Sequence, residues 1–237
     1  MHRCRALATL GAMASAMVTL AGCIPITVPF GSGNRDTVKG SGISVEEVRD
    51  LAPFDQIEVG AAIHAQVTVG KEQAVTVSAD DNIGPLLQTT VSNRRLTVGY
   101  APDTSIEPAS PVRVESAVPG LRFVGASGAA TVEVVGLAAR DLEVEASGAS
   151  NMTLAGGADA LDVTASGASR LLASDLLARS ARIEASGASR VDVDVTGSLS
   201  VSASGASSVC YRRDPDSLDQ KTSGASSVDR CRSEKPW

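Results

Sequence analysis

The stretch Leu142–Leu154, LEVEASGASNMTL, decides the fold, because the tetrapeptide at its centre recurs through the second half of the chain. Ser-Gly-Ala-Ser, or Ser-Gly-Ala-Ala in the first instance, occurs six times, starting at Ser127, Ser147, Ser166, Ser186, Ser204 and Ser223. The steps between these starts are 20, 19, 20, 18 and 19 residues. A period this regular is typical of a stacked repeat architecture.

Each repeat has the pattern of a strand, a tight corner and a second strand. Small or apolar residues alternate with polar ones before the corner, as in Leu142-Glu143-Val144-Glu145-Ala146, which is the two-residue period of a strand with one buried face. The alternation resumes after the corner and ends in a looser return such as Gly156-Gly157 or Thr196-Gly197. The corner glycine suits a backbone with positive φ. No stretch of the repeats keeps the 3.6-residue spacing of a helix.

A single unit of about 19 residues is too short to fold alone. Fixing its backbone costs roughly 1 to 2 kcal/mol per residue, whereas each buried apolar side chain returns only about 1.5 to 3 kcal/mol. Parallel stacking supplies the remainder by pairing each unit with its neighbours. The sequence therefore predicts an all-β, single-domain parallel β-helix or β-solenoid.

Parallel stacking also predicts which outward side chains are neighbours. One ladder is expected to run Glu143, Asp162, Arg182, Ser200, Asp219, and a second Glu145, Thr164, Glu184, Ser202, Lys221. We expect Arg182 to form an ion pair with the adjacent Asp162. Mixed-sign ladders of this kind are typical of a solvated sheet. Two alternatives for the Glu143–Asp162 pair are a calcium site and a pair of carboxylates that share a proton.

The pattern of short strands around Ser-Gly-Ala-Ser resembles the bacterial family of the auto-transporter adhesin head GIN domain, also called domain of unknown function 2807. The upstream segment fits as well, with Phe54-Asp-Gln-Ile57-Glu-Val59-Gly60 followed by further Gly-bounded strands. The resemblance covers about Val45 to Asp229. It implies a right-handed β-helix-like fold, usually on exported or lipid-anchored proteins.

The first 22 residues have the pattern of a lipoprotein signal peptide. His2, Arg3 and Arg5 form a basic region, an apolar stretch follows, and Leu20-Ala21-Gly22-Cys23 resembles the lipobox after which Cys23 is acylated. Ile24, rather than Asp, follows the cysteine, and in a Gram-negative cell this points to the outer membrane. The alternative is an ordinary signal peptide or a short anchor helix.

Four segments follow from these patterns. Residues 1–22 are the signal peptide, and 23–44 are the acylated cysteine with a Pro-, Gly- and Ser-rich tether. Residues 45–229 are the solenoid, with irregular first coils at 45–120 and six regular coils at 121–229, and residues 230–237 are a tail. Trp237 either caps the last coil or extends free of it.

Charge and cysteine content limit the partners and the compartment. Without the signal peptide, the chain has 19 basic and 27 acidic side chains, so its net charge is about −8. Such a surface disfavours nucleic acid, whose binding rests on neutralising phosphates. Cys210 and Cys231 fall on adjacent coils in outward phase and are expected to form a disulfide outside the cytoplasm, the alternative being two free thiols. A one-coil diagonal of about 7 to 8 Å exceeds the usual Cα separation of a disulfide, but the insertion Arg212–Ser217 makes the last coil irregular.

No catalytic constellation emerges from the sequence. His64 is expected to be a surface histidine, and no Gly-x-Ser-x-Gly elbow accompanies it. The longest non-repeat segment, Ala101–Pro111, carries only Asp103 and Glu107 as acidic residues. We therefore expect neither an enzyme nor a cofactor or bound metal. The prediction is an exported, adhesin-like interaction scaffold at the cell envelope, with a protein or glycan partner and possible self-association. The alternatives are a polysaccharide-acting β-helix enzyme and a partner in envelope sensing.

Overall fold

The computed structural model describes residues 37–101 and 104–231, which form seventeen strands and one short 3-10 helix. The first nine strands are β1 Thr37–Lys39, β2 Ser44–Val48, β3 Gln56–Val59, β4 His64–Val69, β5 Ala74–Asp80, β6 Leu87–Ser92, β7 Arg95–Tyr100, β8 Ser105–Glu107 and β9 Arg113–Val118. The other eight are β10 Phe123–Ala126, β11 Thr131–Ala146, β12 Asn151–Ala165, β13 Arg170–Ala185, β14 Arg190–Ala203, β15 Ser208–Tyr211, β16 Ser217–Thr222 and β17 Ser227–Arg230. The 3-10 helix is Gly84–Leu86. The predicted all-β solenoid is confirmed.

Two sides of parallel strands meet at the corners. The pre-corner side stacks β7, β3, β10, the second halves of β11 to β14, and β16. The post-corner side stacks β9, β4, the first halves of β11 to β14, then β15 and β17. Between the sides lies one continuous apolar core, in which residues such as Val144, Val163 and Ile183 are fully buried. The alternation of the sequence therefore predicts the burial pattern directly.

The return from one corner to the next differs from the expected loop. Each of β11, β12, β13 and β14 is one continuous strand of 14 to 16 residues that runs from one corner to the next. The pairing slips where the strand must change direction, for example between Val134 and Leu137 and between Thr153 and Ala155. Bulges of this kind bend a strand without ending its pairing. Gly156 lies inside such a bend rather than in a separate loop.

The corner glycines adopt the predicted left-handed backbone. Those of the six tetrapeptides have φ between 67° and 75°: Gly128, Gly148, Gly167, Gly187, Gly205 and Gly224. The next alanine binds the glycine one turn back, as when the Ala168 amide donates to the Gly148 carbonyl at 2.7 Å. A Cβ on Gly167 would lie 2.6 Å from that same carbonyl oxygen. Glycine is thus required both for its φ and for the close approach of stacked corners.

The last serine of the tetrapeptide faces inward and forms a second ladder at the corner. Its members are at most 2% exposed: Ser150, Ser169, Ser189 and Ser207. The Ser207 hydroxyl lies 2.9 Å from the Ser204 carbonyl oxygen, and Ser226 repeats this contact with Ser223 at 2.8 Å. The hydroxyls of Ser189 and Ser207 also lie 3.4 Å or less from carbonyl oxygens one turn back, whereas those of Ser150 and Ser169 have no hydrogen-bond partner among the described residues. These serines are therefore structural members of the corner.

The turns of the irregular first part do not stack in chain order. In the stack, the turn formed by β3 and β4 lies between two turns that come after it in the chain. One of these is formed by β7 and β9, and the other by β10 and β11. Three antiparallel strands close this end, with β6 on β7, β5 on β9, and β2 on β5. The sequence did not predict these antiparallel strands. The first part of the domain is therefore a cap as well as a start of the solenoid.

A buried carboxylate holds the loops of this cap. Asp80 is fully buried, and its Oδ2 accepts the amide hydrogens of Ala109 at 2.8 Å and Ser110 at 3.2 Å. Burial acts to raise the pKa of Asp80, but the hydrogen bonds from Ala109 and Ser110 lower it below its usual value. Nearby, the Asn82 side chain donates to the Lys39 carbonyl at 2.7 Å. The loop before β2 and the loop after β8 are thereby fixed to β5.

Two arginines tie the insertion in the last coil to earlier turns. Arg212 donates to the Ser174 carbonyl at 2.9 Å and lies 3.2 Å from Asp175. Arg213 makes two hydrogen bonds with the buried carboxylate of Asp194, one of them at 2.7 Å. The bond and the charge of Asp194 raise the pKa of Arg213. The insertion 212–217 is therefore anchored rather than loose.

We predict that Gly167→Ala lowers the free energy of unfolding by about 2 kcal/mol or more, because a left-handed alanine costs roughly 1 to 2 kcal/mol before any clash with Gly148. The matched control is Gly157→Ala in the preceding unit, where φ is not positive and a Cβ would meet its nearest atom at 3.7 Å. Guanidinium unfolding measures both. Equal midpoints for the two variants would contradict the role of the corner.

Candidate functional site

The outward side chains of the pre-corner side form the two ladders that the sequence predicts. Consecutive strands place Glu143 opposite Asp162, Asp162 opposite Arg182, and so on to Asp219. The second ladder, from Glu145 to Lys221, is registered in the same way. We call these two ladders, with Arg122 and Asp141 beside them, the ladder surface.

The charges of the ladder surface are arranged differently from the prediction. Arg182 donates to Glu184 on its own strand at 2.7 Å, so the expected ion pair with Asp162 is wrong. The hydrogen bond and charge of Glu184, with a smaller contribution from the charge of Asp162, raise the pKa of Arg182. Across the described residues, Glu143 and Asp162 lie within salt-bridge distance of no cation. Two like charges therefore face each other on adjacent strands, which is unfavourable in a sheet.

A concave part of the ladder surface offers room for a ligand. The volume of this concavity is about 720 Å³, and its lining includes Arg122, Glu143, Asp162, Arg182 and Ser200. Carboxylates, guanidinium groups and hydroxyls all line this space, so it can donate and accept hydrogen bonds at several points. Such a surface fits a polar ligand such as a glycan or a charged peptide better than an apolar one.

An aromatic residue closes the N-terminal edge of the ladder surface. Phe123 occupies an outward position, in register with Gln56 and Glu143 on the two adjacent strands. Its side chain is nevertheless only 1% exposed. Its ring covers Gly125, where a Cβ would lie 3.0 Å from the ring, and the Arg95 guanidinium lies 3.9 Å from the ring centroid. Arg95 over Phe123 is a cation–π contact. The sequence analysis missed this contact, although a phenylalanine two residues before a glycine on the same strand face is a usable signal.

A second concavity of about 670 Å³ lies beside the start of this surface. Asp55 in its wall contacts Arg94 at 3.0 Å and Arg122 at 3.2 Å, while Phe54 and Leu121 supply apolar lining. Burial acts to raise the pKa of Asp55, but hydrogen bonds from Arg94 and Arg122 lower it below its usual value. The sequence did not reveal this cluster, because its members come from three separate segments that only the out-of-order stacking brings together.

The other candidates of the sequence analysis do not form a site. His64 is exposed at the start of β4, with Arg113 and Thr131 as its neighbours on the adjacent strands. Glu107 lies in β8, where its nearest cation is Lys39 at 4.0 Å. Asp103 and Trp237 lie outside the described residues. Among residues 37–101 and 104–231, no group of three or more His, Cys, Asp and Glu side chains could hold a metal ion.

Cys210 and Cys231 are adjacent, whereas Cys23 lies outside the described residues. The two sulfur atoms lie at bonding distance, and the Cα atoms are 5.1 Å apart. This separation is shorter than the diagonal expected from the register, although the Cys231 amide still continues the ladder by donating to the Tyr211 carbonyl at 2.9 Å. The Cα separation is within the range of a disulfide, and the oxidised state of the exported protein stays a prediction.

The chain belongs to the family described as "Putative auto-transporter adhesin, head GIN domain", whose model matches residues 53–215. The match spans the strands from β3 to β15 with five of the six tetrapeptide corners, and it ends before β16. The resemblance inferred from the Ser-Gly-Ala-Ser units is therefore confirmed. No curated protein sequence matches the chain.

Solved structures share the fold. One is a protein described as a "putative adhesin" from Bacteroides fragilis, with a TM-score of 0.67 and 16% identity, over 82% of this chain and 100% of that one. Another, described as a "Putative lipid binding protein" from Parabacteroides distasonis, has a TM-score of 0.53 and 18% identity, over 83% of this chain and 100% of that one. At these identities the likeness concerns the solenoid itself.

Within the described part of the chain, no helix has the length and apolar character needed to cross a bilayer.

We predict that oxidised protein carries a Cys210–Cys231 disulfide, and that Cys210→Ser/Cys231→Ser lowers the free energy of unfolding by about 2 to 4 kcal/mol. Intact mass after alkylation, with and without reductant, detects the bond, and denaturant unfolding measures its contribution. The control is Ser208→Ala, which alters the same strand without touching either cysteine. Alkylation of both cysteines without reductant would contradict the prediction.

Proposed function

We propose that this protein is a non-enzymatic, exported lipoprotein that displays its solenoid at the cell envelope and binds a glycan or protein through the ladder surface. One observation carries the proposal. The stacked turns fill their interior with apolar side chains and leave registered polar ladders outside. An arrangement of this kind presents groups for recognition rather than enclosing a substrate.

The chemistry of the ladder surface supports binding more than catalysis. A glycosidase of the usual kind needs two carboxyl groups on either side of the scissile bond, one of them with a raised pKa. Glu143 and Asp162 instead lie side by side on neighbouring strands of one face. They share that face with Arg182 and with hydroxyls such as Ser200. Hydrogen-bonding groups in this arrangement suit the hydroxyls or charges of a polar ligand.

The anchor part of the proposal rests on Leu20-Ala21-Gly22-Cys23. Acylation of Cys23 would hold the protein at a membrane, since two or more buried acyl chains give durable attachment. The segment between Cys23 and β1 would then serve as the tether. In a Gram-negative cell, Ile24 after the cysteine supports the outer membrane as the destination.

We expect that Cys23→Ala moves the protein from the membrane fraction to the soluble fraction and abolishes incorporation of labelled palmitate. The full-length Cys210→Ser/Cys231→Ser variant is the control, because it removes two other cysteines and keeps Cys23. Fractionation of cells with immunoblotting measures the first effect. Wild-type protein in the soluble fraction, or palmitate retained by Cys23→Ala, would contradict the anchor.

We further expect that Glu143→Lys/Asp162→Lys weakens binding to glycans or envelope extracts at least about fivefold, because it reverses two of the three carboxylates that line the concave part of the ladder surface. Glu115→Lys/Glu133→Lys on the post-corner side makes the same change of net charge and should bind like wild type. Array binding and pull-down provide the measurement.

The same proteins test the non-enzymatic role. Incubation with envelope polysaccharides should release no reducing ends above background. Release that disappears in Glu143→Gln/Asp162→Asn would overturn the proposal and favour a polysaccharide-acting enzyme.

A further inference from the structure

The two ends of the solenoid are finished differently. At the N-terminal end, antiparallel strands cover the first parallel turn on both sides, with β6 on β7 and β5 on β9. At the C-terminal end, β16 pairs with β14 and β17 pairs with β15, and no described strand covers their outer edges. Unpaired strand edges of this kind are templates for further pairing.

The last turn also leaves its inward side chains uncovered. Leu218, Gln220 and Thr222 continue the inward positions of Leu199, Val201 and Ala203, which are at most 3% exposed. All six residues of β16 are exposed, and Leu218 is 39% exposed. A turn of parallel sheet normally has both edges paired and its core face covered. This end is therefore an unfinished surface of backbone hydrogen-bonding groups and apolar area.

The charges of β16 indicate what completes it. Asp219 and Lys221 flank Gln220 at equal distances along the strand and share the outward face. When two identical edges meet through a two-fold axis, they run antiparallel. An axis at Gln220 then places Asp219 of one copy opposite Lys221 of the other, twice. Among the described residues, neither side chain lies within salt-bridge distance of an opposite charge in the single chain.

We propose that two copies of this chain pair end to end through β16, antiparallel and centred on Gln220. The pairing extends the sheet across the two molecules, stacks Leu218 against the partner's Thr222, and satisfies the exposed backbone groups. Because the two-fold axis uses the same edge of both copies, the contact is isologous and stops at a dimer rather than continuing as a fibre.

The position of the pairing edge has a consequence for the proposed envelope role. The chain enters the domain at the capped end, where β2 pairs with β5, so the free edge is at the other end of the stack. If Cys23 is anchored as proposed, the tether joins the domain at the capped end, and the free edge at the other end of the stack stays available to a second copy. The dimer itself does not depend on the anchor, so failure of the anchor and failure of the pairing are distinguishable.

The test uses the full-length protein in mild detergent, studied by analytical ultracentrifugation over a range of concentrations. Wild type should form dimers. Asp219→Lys and Lys221→Asp should each raise the dissociation constant at least about tenfold, because either change makes both cross-strand pairs repulsive. The double variant Asp219→Lys/Lys221→Asp should regain the wild-type constant. An equimolar mixture of the two single variants should form heterodimers, since every pair is then complementary.

Two further variants separate this interface from others. Glu145→Lys changes a charge in the same outward ladder as Lys221, far from the edge, and should dimerise like wild type. Gln220→Cys lies on the proposed axis, where antiparallel Cα atoms are about 4.5 to 5.5 Å apart, and should give a covalent dimer under mild oxidation.

Several outcomes would overturn the proposal. These are a wild-type protein that stays monomeric at all concentrations, a dimer that tolerates both single charge reversals, and single variants that do not associate when mixed. A monomer that dimerises only after removal of residues 232–237 would show that the chain's own tail occupies the edge, and would also overturn it.

Discussion

The close approach of stacked corner backbones is the constraint on which the rest of the structure depends. Strands of neighbouring turns lie about 4.8 Å apart, and at the corner the Ala188 amide reaches the Gly167 carbonyl at 2.7 Å. A side chain at the glycine would occupy that contact. Each corner therefore positions the next one, and this explains why the glycine is kept in all six units while the strand before it tolerates Leu161, Ala181 or Gln220 at inward positions. The corner between β3 and β4 is an exception, because Ala61 there adopts the left-handed backbone with φ 59° in place of a glycine.

Fixed corners have a chemical consequence for the outer surface. Because the strand register beside each corner is fixed, an outward side chain there always faces the same residue of the next turn, whether the pair is favourable or not. Glu143 opposite Asp162 is an unfavourable pair that the fold nevertheless holds in place. The outward positions carry no packing requirement, and they vary among Glu, Asp, Arg, Ser, Thr and Lys. Residues on this surface can therefore vary to suit a binding partner without disturbing the packing of the core, which suits a scaffold of the adhesin-like family.

The sequence predicts those parts of the structure in which units that follow one another in the chain are also neighbours in the stack. The ladders from Glu143 to Asp219 and from Glu145 to Lys221 follow once the corners set the phase, and the burial of Val144 and Val163 follows from alternation. Alternation does not reveal the direction of pairing, so β5 and β6 look like the parallel strands although they run antiparallel. Nor does it reveal stacking order, which is why the contact of Asp55 with Arg94 and Arg122 was missed. The partner of Arg182 depended on side-chain conformation, since Glu184 and Asp162 are both within reach of its strand position.

The terminal turns of a solenoid have no further turn to cover them, and the two ends of this one differ in how they are finished. The N-terminal end uses antiparallel strands together with Asp80, whose lowered pKa keeps the carboxylate charged for the amides of Ala109 and Ser110. Because protonation would weaken those bonds, the cap is an acid-sensitive part of the fold, with stability lost as the pH falls through the folded-state pKa of Asp80. The C-terminal end has no such device among the described residues and relies instead on Arg212 and Arg213, which fasten the insertion but leave β16 uncovered. A two-fold contact through β16 uses the open edge of both copies, so the proposed pairing between chains is limited to two, whereas stacking within a chain continues turn by turn.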